Sequence, residues 1–266
     1  SSGGVFSLGT NMLEQQTGAV GGSMNKGTAF VAGGAYGSAR DTCACHQQYN
    51  GTSWSEAADL NDARKQDFYG AGDSSGAVVH GGFSGPATQK TEEWNGSAWS
   101  EVNTYSPTRN VNTQVAAAGE SSEAALRWSL YDAAEWNGTN WSEFTNQAFN
   151  PTLDGGHYNM AGTGTVNAAL TMGGQSPHNY STTGYDRSMR VFRTYDGSNW
   201  TECPNMIIQQ YMQNAFGSVN DAVSTGGLYF RRAHDRAPAP FGGFAQSPAI
   251  TGVPSACTTQ YSQYWD

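Results

Sequence analysis

The apolar positions of the chain fall in short bursts, and several of these end in a pair of glycines: FVAGG (Phe30 to Gly34), VVHGG (Val78 to Gly82), LTMGG (Leu170 to Gly174) and VSTGG (Val223 to Gly227). Each burst is too short for a helix and reads as a strand bounded by a turn. A second pattern is interleaved with the first. The segment YNGTSWSE (Tyr49 to Glu56) recurs as WNGSAWSE (Trp94 to Glu101), WNGTNWSE (Trp136 to Glu143) and YDGSNWTE (Tyr195 to Glu202). In each copy an aromatic residue precedes Asn-Gly or Asp-Gly, and a Trp follows five positions after the aromatic. This predicts two short strands joined by a tight type I′ turn, because Asn-Gly and Asp-Gly tolerate the positive φ angles that such turns need. A further short strand precedes each glycine pair, around 67–72 in the second copy, so the repeating unit holds four strands.

Four short antiparallel strands with a double Gly after the second, and an aromatic and a Trp in the third and fourth, resemble the kelch repeat. The resemblance covers nearly the whole chain and implies an all-β fold, a β-propeller of four-stranded blades packed face to face around an axis. One blade alone cannot bury both of its faces, so such a fold is stable only as an array. The repeated Trp54, Trp99, Trp141 and Trp200 are then expected to fill the gaps between blades. The chain ends in Tyr264-Trp265-Asp266, where a fourth strand should begin, and it opens with SSGGVFS, in which Phe6 stands at the place of the repeated Trp. The N-terminal strand is therefore expected to complete the last blade and close the ring. Five blades result, over approximately 11–56, 57–101, 102–143, 144–202, and 203–266 plus 1–10, within a single domain. The third unit departs from the pattern, since Leu126, Arg127 and Trp128 of EAALRWS stand where a glycine pair is expected.

Composition agrees with turns and aromatic packing: 34 Gly, 12% aromatic residues and 13% charged residues in a 266-residue chain, with a mean hydropathy of −0.56. Eight Trp argue against disorder. A formal net charge of −9 opposes attraction to phosphate backbones, so nucleic acid is not an expected partner. No apolar run is long enough to span a bilayer, and the N-terminal stretch lacks the charged start and apolar core of a signal peptide, so a soluble chain without a membrane partner is expected. Cys43, Cys45, Cys203 and Cys257 are too few and scattered for a disulfide framework, and could be free or paired. In the CACH segment, Cys43 and Cys45 would share one face of a strand and His46 the other, so no metal site and no cofactor are expected.

The spacing between successive repeated Trp residues is 45, then 42, then 59. The extra length lies in loops of the fourth and fifth units, 175–192 and 228–255. These loops contain Arg187, Arg190, Arg231, Arg232 and Arg236, with Arg193 just beyond, and the aromatics Tyr180, Tyr185, Tyr229 and Phe230. Arg and aromatic residues are the types enriched at interface anchors, so this rim is the candidate binding surface, against the alternative that the loops are merely solvated. Six Asn-X-Ser/Thr sequons, at Asn50, Asn95, Asn137, Asn140, Asn179 and Asn199, read mostly as by-products of the repeated turn.

Acid, base and nucleophile groups do not converge in the sequence. Galactose oxidase is a kelch-type enzyme, but its Tyr and His copper ligands have no matched set here, and Asp154 with His157 or His234 with Asp235 are ordinary loop pairs. The WNGTSW-type signature in a Lys-poor, Gly-, Ser-, Thr- and Asn-rich array is similar in style to virion proteins of marine bacteriophages. The function expected is non-enzymatic: an extracellular or virion-surface propeller, such as a tail fibre, appendage or capsid decoration protein. It would join other structural proteins through the loops of the fourth and fifth units and contribute to host glycan attachment. A stand-alone secreted carbohydrate-binding lectin is the alternative, and a galactose-oxidase-like or other glycan-active enzyme the third reading.

Overall fold

The computed structural model describes residues 9–25, 27–36, 41–105, 116–129, 132–144, 159–176, 187–188, 191–204, 206, 211–228 and 245–246. Four antiparallel sheets of four strands follow one another along the chain, each a simple meander from inner to outer strand. The first comprises Val20–Asn25, Thr28–Ala32, His46–Tyr49 and Trp54–Glu56, the second Lys65–Asp73, Gly76–Phe83, Thr91–Trp94 and Trp99–Val102. The third comprises Ala116–Ser121, Ala124–Trp128, Ala133–Trp136 and Trp141–Phe144, the fourth Ala161–Thr165, Ala168–Met172, Phe192–Tyr195 and Trp200–Glu202. A fifth sheet contains Tyr211–Ser218, Asp221–Leu228 and the short Ala245–Gln246. Small two-strand ribbons, Ala35–Tyr36 with Asp41–Thr42 and Gln175–Ser176 with Arg187–Ser188, lie in the loops between second and third strands of the first and fourth sheets. The inner strands of successive sheets stand side by side, which makes the arrangement propeller-like, with four complete blades.

The repeated hairpin has one geometry in all four blades. Tyr49 pairs with Trp54, Trp94 with Trp99, Trp136 with Trp141, and Tyr195 with Trp200 as direct cross-strand partners. Their ring centroids lie 5.2, 5.5, 5.5 and 5.0 Å apart, the range in which aromatic pairs attract. The turn differs from the type I′ expectation. Four residues, not two, separate the paired aromatics, and Asn50, Asn95, Asn137 and Asp196 keep negative φ, whereas type I′ needs positive φ at both central residues. The side-chain oxygen of each takes two backbone N–H groups instead: Asn50 Oδ1 accepts from Thr52 and Ser53 at 3.0 and 2.9 Å, and Asn137 Oδ1 from Thr139 and Asn140 at the same distances. Asn95 and Asp196 do likewise. Asn is therefore present as an acceptor that organises the loop. The glycine after it, at φ between 84° and 92° in the four copies, supplies the left-handed step.

The hydrophobic cores lie between sheets. Val20, Phe30 and Ala32 of the first sheet meet Ala77, Val79, Trp94 and Trp99 of the second. Ala71 and Val78 meet Ala125 and Trp136, Leu126 and Trp128 meet Met160, Ala169 and Tyr195, and Leu170 and Met172 meet Ala222. Small residues on the inner strands let neighbouring sheets approach closely. A Cβ at Gly162 would stand 2.6 Å from both the Ala117 carbonyl oxygen and the Trp128 ring. We expect Gly162→Val to force the third and fourth sheets apart and to cost about 3 kcal/mol. Urea unfolding followed by Trp fluorescence checks this, and an unchanged midpoint would contradict it.

Candidate functional site

Most of the residues singled out for the binding rim, namely Arg190, Arg231, Arg232, Arg236, Tyr180, Tyr185, Tyr229 and Phe230, lie outside the described residues, as does Phe6. So do the pairs Asp154 with His157 and His234 with Asp235. Arg187 is placed by its backbone alone, in register opposite Ser176. Arg193 sits on the third strand of the fourth blade opposite Glu202, with an Nη2 to Oε2 separation of 3.8 Å.

The four repeated Trp residues occupy the outer strands, and three of them reach across to the blade before. Trp99 donates its indole N–H to His46 Nδ1 at 3.1 Å, and Trp141 donates to Thr91 Oγ1 at 3.0 Å. His46 and Thr91 both begin the third strand of their blades. The equivalent residue of the third blade is Ala133, which offers no side-chain acceptor. Trp200 Nε1 is accordingly buried without a hydrogen-bond partner among the described residues, and its ring packs on Trp128 at 5.1 Å. Trp128, expected at the place of a glycine pair, stands instead where Ala32, His80 and Met172 stand, each just before the pair, in other blades, and it fills the gap between the third and fourth.

A polar cluster is sealed between the second and third blades. Arg127 forms a bidentate pair with Asp132, both N···O distances being 2.9 Å, and its guanidinium lies over the rings of Tyr69 and Tyr105 at 5.4 and 5.0 Å. Ser129 Oγ also donates to Asp132. His80 Nε2 is 3.1 Å from the Tyr105 carbonyl, which only accepts, so Nε2 carries the proton and Nδ1 accepts from the Tyr69 hydroxyl. Burial first, and then the Arg127 charge, lower the His80 pKa to about 3 against the opposing Tyr105 hydrogen bond. Burial likewise raises the Tyr69 hydroxyl above its ordinary range. Every member of this group is buried, so none is presented to a ligand.

The segment linking the first blade to the second is tied down by a buried ion pair, Arg64 with Glu92. Arg64 also donates to the carbonyls of Gly81 and Lys90, both at 3.1 Å, and Glu92 accepts from the backbone and side-chain nitrogens of Asn61 at 2.7 and 2.9 Å. These partners are what make two buried charges tolerable.

Beside this linker a 380 Å³ cleft is lined by Glu14, Cys45, His46, Gln47, Glu56, Ala57, Ala58 and Asp59. The CACH segment is not a strand with two free faces. Cys43 to Cys45 precede the strand His46–Tyr49 and form a loop, and Cys43 is disulfide-bonded to Cys45. His46 Nδ1 lies 3.0 Å from the Ala58 carbonyl and also receives the Trp99 indole N–H, two contacts that ask for opposite tautomers. Burial lowers the His46 pKa, partly opposed by the Ala58 hydrogen bond and the Asp59 charge. Among the described residues no group of three or more His, Cys, Asp or Glu side chains is placed to hold a metal ion.

No protein-family model and no curated protein sequence matches the chain. Among solved structures, one described as "Structure of YjhT" superposes with a TM-score of 0.59 at 12% identity, covering 80% of this chain and 78% of that one. At that identity the likeness concerns the fold alone.

The His80 assignment has a pH consequence. Its folded pKa lies below the unfolded value near 6.5, so the unfolded chain binds the extra proton as pH falls between about 6.5 and 3, and folding stability is lost over that window. Between pH 6 and pH 4 the wild type should lose about 1 kcal/mol per pH unit more than His80→Gln. Urea titrations at several pH values measure the two slopes, and parallel slopes would contradict the assignment.

Proposed function

We propose that the chain is a non-catalytic propeller of five kelch-like blades that serves as a virion-surface component, a tail fibre, appendage or capsid decoration protein. In this reading the fifth blade begins with Tyr211–Ser218, and the N-terminal segment around Phe6 supplies its outer strand and closes the ring. The protein joins its assembly through the Arg- and aromatic-rich loops of the fourth and fifth units, and it contributes to host glycan attachment.

The observation that carries this reading is how the described blades use their reactive side chains. His80 and Tyr69, and Arg127 and Asp132, are bonded to one another inside a packed interface, and Arg64 is paired with Glu92. The outer strands add a second support. Each carries an exposed carboxylate at or next to its last residue, Glu56, Glu101, Glu143 or Glu202, and charge on an edge strand resists pairing with another sheet. An assembly partner is then met by loops, where the cationic sequence is concentrated.

Purified particles should contain the chain at fixed stoichiometry. Replacing Arg187, Arg190, Arg231, Arg232 and Arg236 with Ser should lower its incorporation about tenfold, as expected when interface anchors are removed, without shifting its thermal unfolding. Unchanged incorporation would contradict the docking rim. A defined sugar bound on a glycan array by a chain absent from particles would replace this reading with the lectin, and release of product or hydrogen peroxide from sugars would replace it with an enzyme.

A second outcome tests the guarded edges. Changing Glu56, Glu101, Glu143 and Glu202 together to Val should convert a discrete species into large aggregates on size-exclusion chromatography. A variant that elutes as the wild type does would show that these carboxylates do not protect the edges.

A further inference from the structure

The Cys43 to Cys45 disulfide closes a loop with a sequence separation of only 2. A cross-link this short removes little freedom from an unfolded chain, so it returns the least stabilisation of any pairing. Its segment is also held without it. Gly33 N–H donates to the Cys45 carbonyl at 2.8 Å and Cys43 N–H to the Gly34 carbonyl at 2.9 Å, while Leu60 and Arg64 N–H donate to the carbonyls of Ala44 and Cys43 at 2.9 and 3.2 Å. Stability therefore does not account for the bond.

Its two sulfurs are unequal. Cys43 is buried, with 5% exposure, whereas Cys45 is partly exposed and lines the 380 Å³ cleft. Gln16 Nε2 donates to the carbonyls of Gly33 and Cys45 at 2.8 and 3.3 Å and lies 3.8 Å from Cys43 Sγ, toward which one of its hydrogens is shared. The charged side chains on the cleft are the exposed carboxylates of Glu14, Glu56 and Asp59, with no Lys or Arg in its lining.

We propose that Cys43 and Cys45 form a thiol–disulfide exchange site that reacts with small neutral or cationic thiols in preference to anionic ones. The thiolate of the incoming molecule attacks Cys45 Sγ. The S–S bond breaks, and its electron pair leaves on Cys43 Sγ, whose new negative charge faces the Gln16 N–H. A second thiolate then attacks the outer sulfur of the mixed disulfide and displaces Cys45 as thiolate. Both cysteines take up protons. Two external thiols become one external disulfide, and the protein disulfide becomes two thiols.

The order of attack follows from access, because the reacting thiolate must approach the sulfur it bonds to. The charge preference follows from the carboxylates, which repel an anionic thiolate carrier and attract an ammonium one over a distance that salt screens. The site is independent of the virion reading, and it needs no residue outside those described.

The test uses the full chain purified without reductant, treated separately with cysteamine, 2-mercaptoethanol and 3-mercaptopropionate at matched thiolate concentrations. Samples are quenched by alkylation and read by peptide mass spectrometry. Cysteamine should reduce the Cys43 to Cys45 bond about threefold or more faster than 3-mercaptopropionate at low ionic strength, and the difference should vanish in high salt and in Glu14→Gln/Glu56→Gln/Asp59→Asn. With limiting thiol, the adduct should sit on Cys45. Cys203, which is buried, also disulfide-bonded and not part of the cleft lining, provides the rate against which that of the Cys43 to Cys45 bond is read. Free Cys43 and Cys45 thiols in the purified chain, an adduct on Cys43, or equal rates for the three reagents would overturn the proposal.

Discussion

Each sheet of this protein has two faces to cover and no core of its own, and burial between neighbouring sheets is the constraint on which the rest depends. The buried clusters combine residues of adjacent blades: Phe30 with Val79 and Trp99, Val78 with Trp136, Leu126 with Tyr195, Leu170 with Ala222. The repeated hairpin serves that burial twice. Its cross-strand aromatic pair stiffens the outer half of each sheet, and in the second, third and fourth blades its Trp leans on the preceding one. Hydrophobic area removed from water is the favourable term, of order 25 cal/mol per Å². The inner strands must be small so that the faces can meet, which is why a side chain at Gly162 would collide with Ala117 and Trp128.

Variation among the blades is local and compensated. In three blades the first residue of the glycine pair donates to the carbonyl just before the third strand: Gly33 to Cys45, Gly81 to Lys90 and Gly173 to Val191. In the third blade Ser129 makes the same bond to Asp132 at 2.8 Å, across a much shorter loop. That shortening brings Asp132 beside Arg127, a charge placed where the other blades carry Val31, Val79 and Thr171. The pair, with Tyr69, His80 and Tyr105, turns what would be an apolar seam into a hydrogen-bonded one. Polar seams of this kind specify which faces belong together, because any other partner leaves their groups unsatisfied.

The all-β class, the four-strand unit and the propeller-like stacking were legible in the sequence because the repeat is written in residues with strong local meaning: the Gly pair, the Asn-Gly step and the Trp. The turn type was not, since Asn-Gly is compatible both with a type I′ turn and with a longer loop capped by the Asn side chain, and only the register of Tyr49 with Trp54 separates them. The Cys43 to Cys45 bond was hidden by reading that segment as strand. The buried pairs were not legible either: the repeat set Arg127 in the stretch that replaces a glycine pair, and only the strand register shows that it stands where Val31 and Val79 stand in other blades, beside Asp132. Arg64 and Glu92 belong to a linker and a strand whose meeting depends on how two blades dock, which no local pattern records.

Blades that bury their faces only against one another must share their stability. Native-state hydrogen exchange of the second strands, Phe30–Ala32, Val78–His80, Leu126–Trp128 and Leu170–Met172, measures this directly in the wild type and in Trp99→Ala. If the cores lie between sheets, the loss of one Trp should lower protection in all four strands by about the same amount, about 3 kcal/mol. Loss confined to the first two blades, with the third and fourth unchanged, would contradict it.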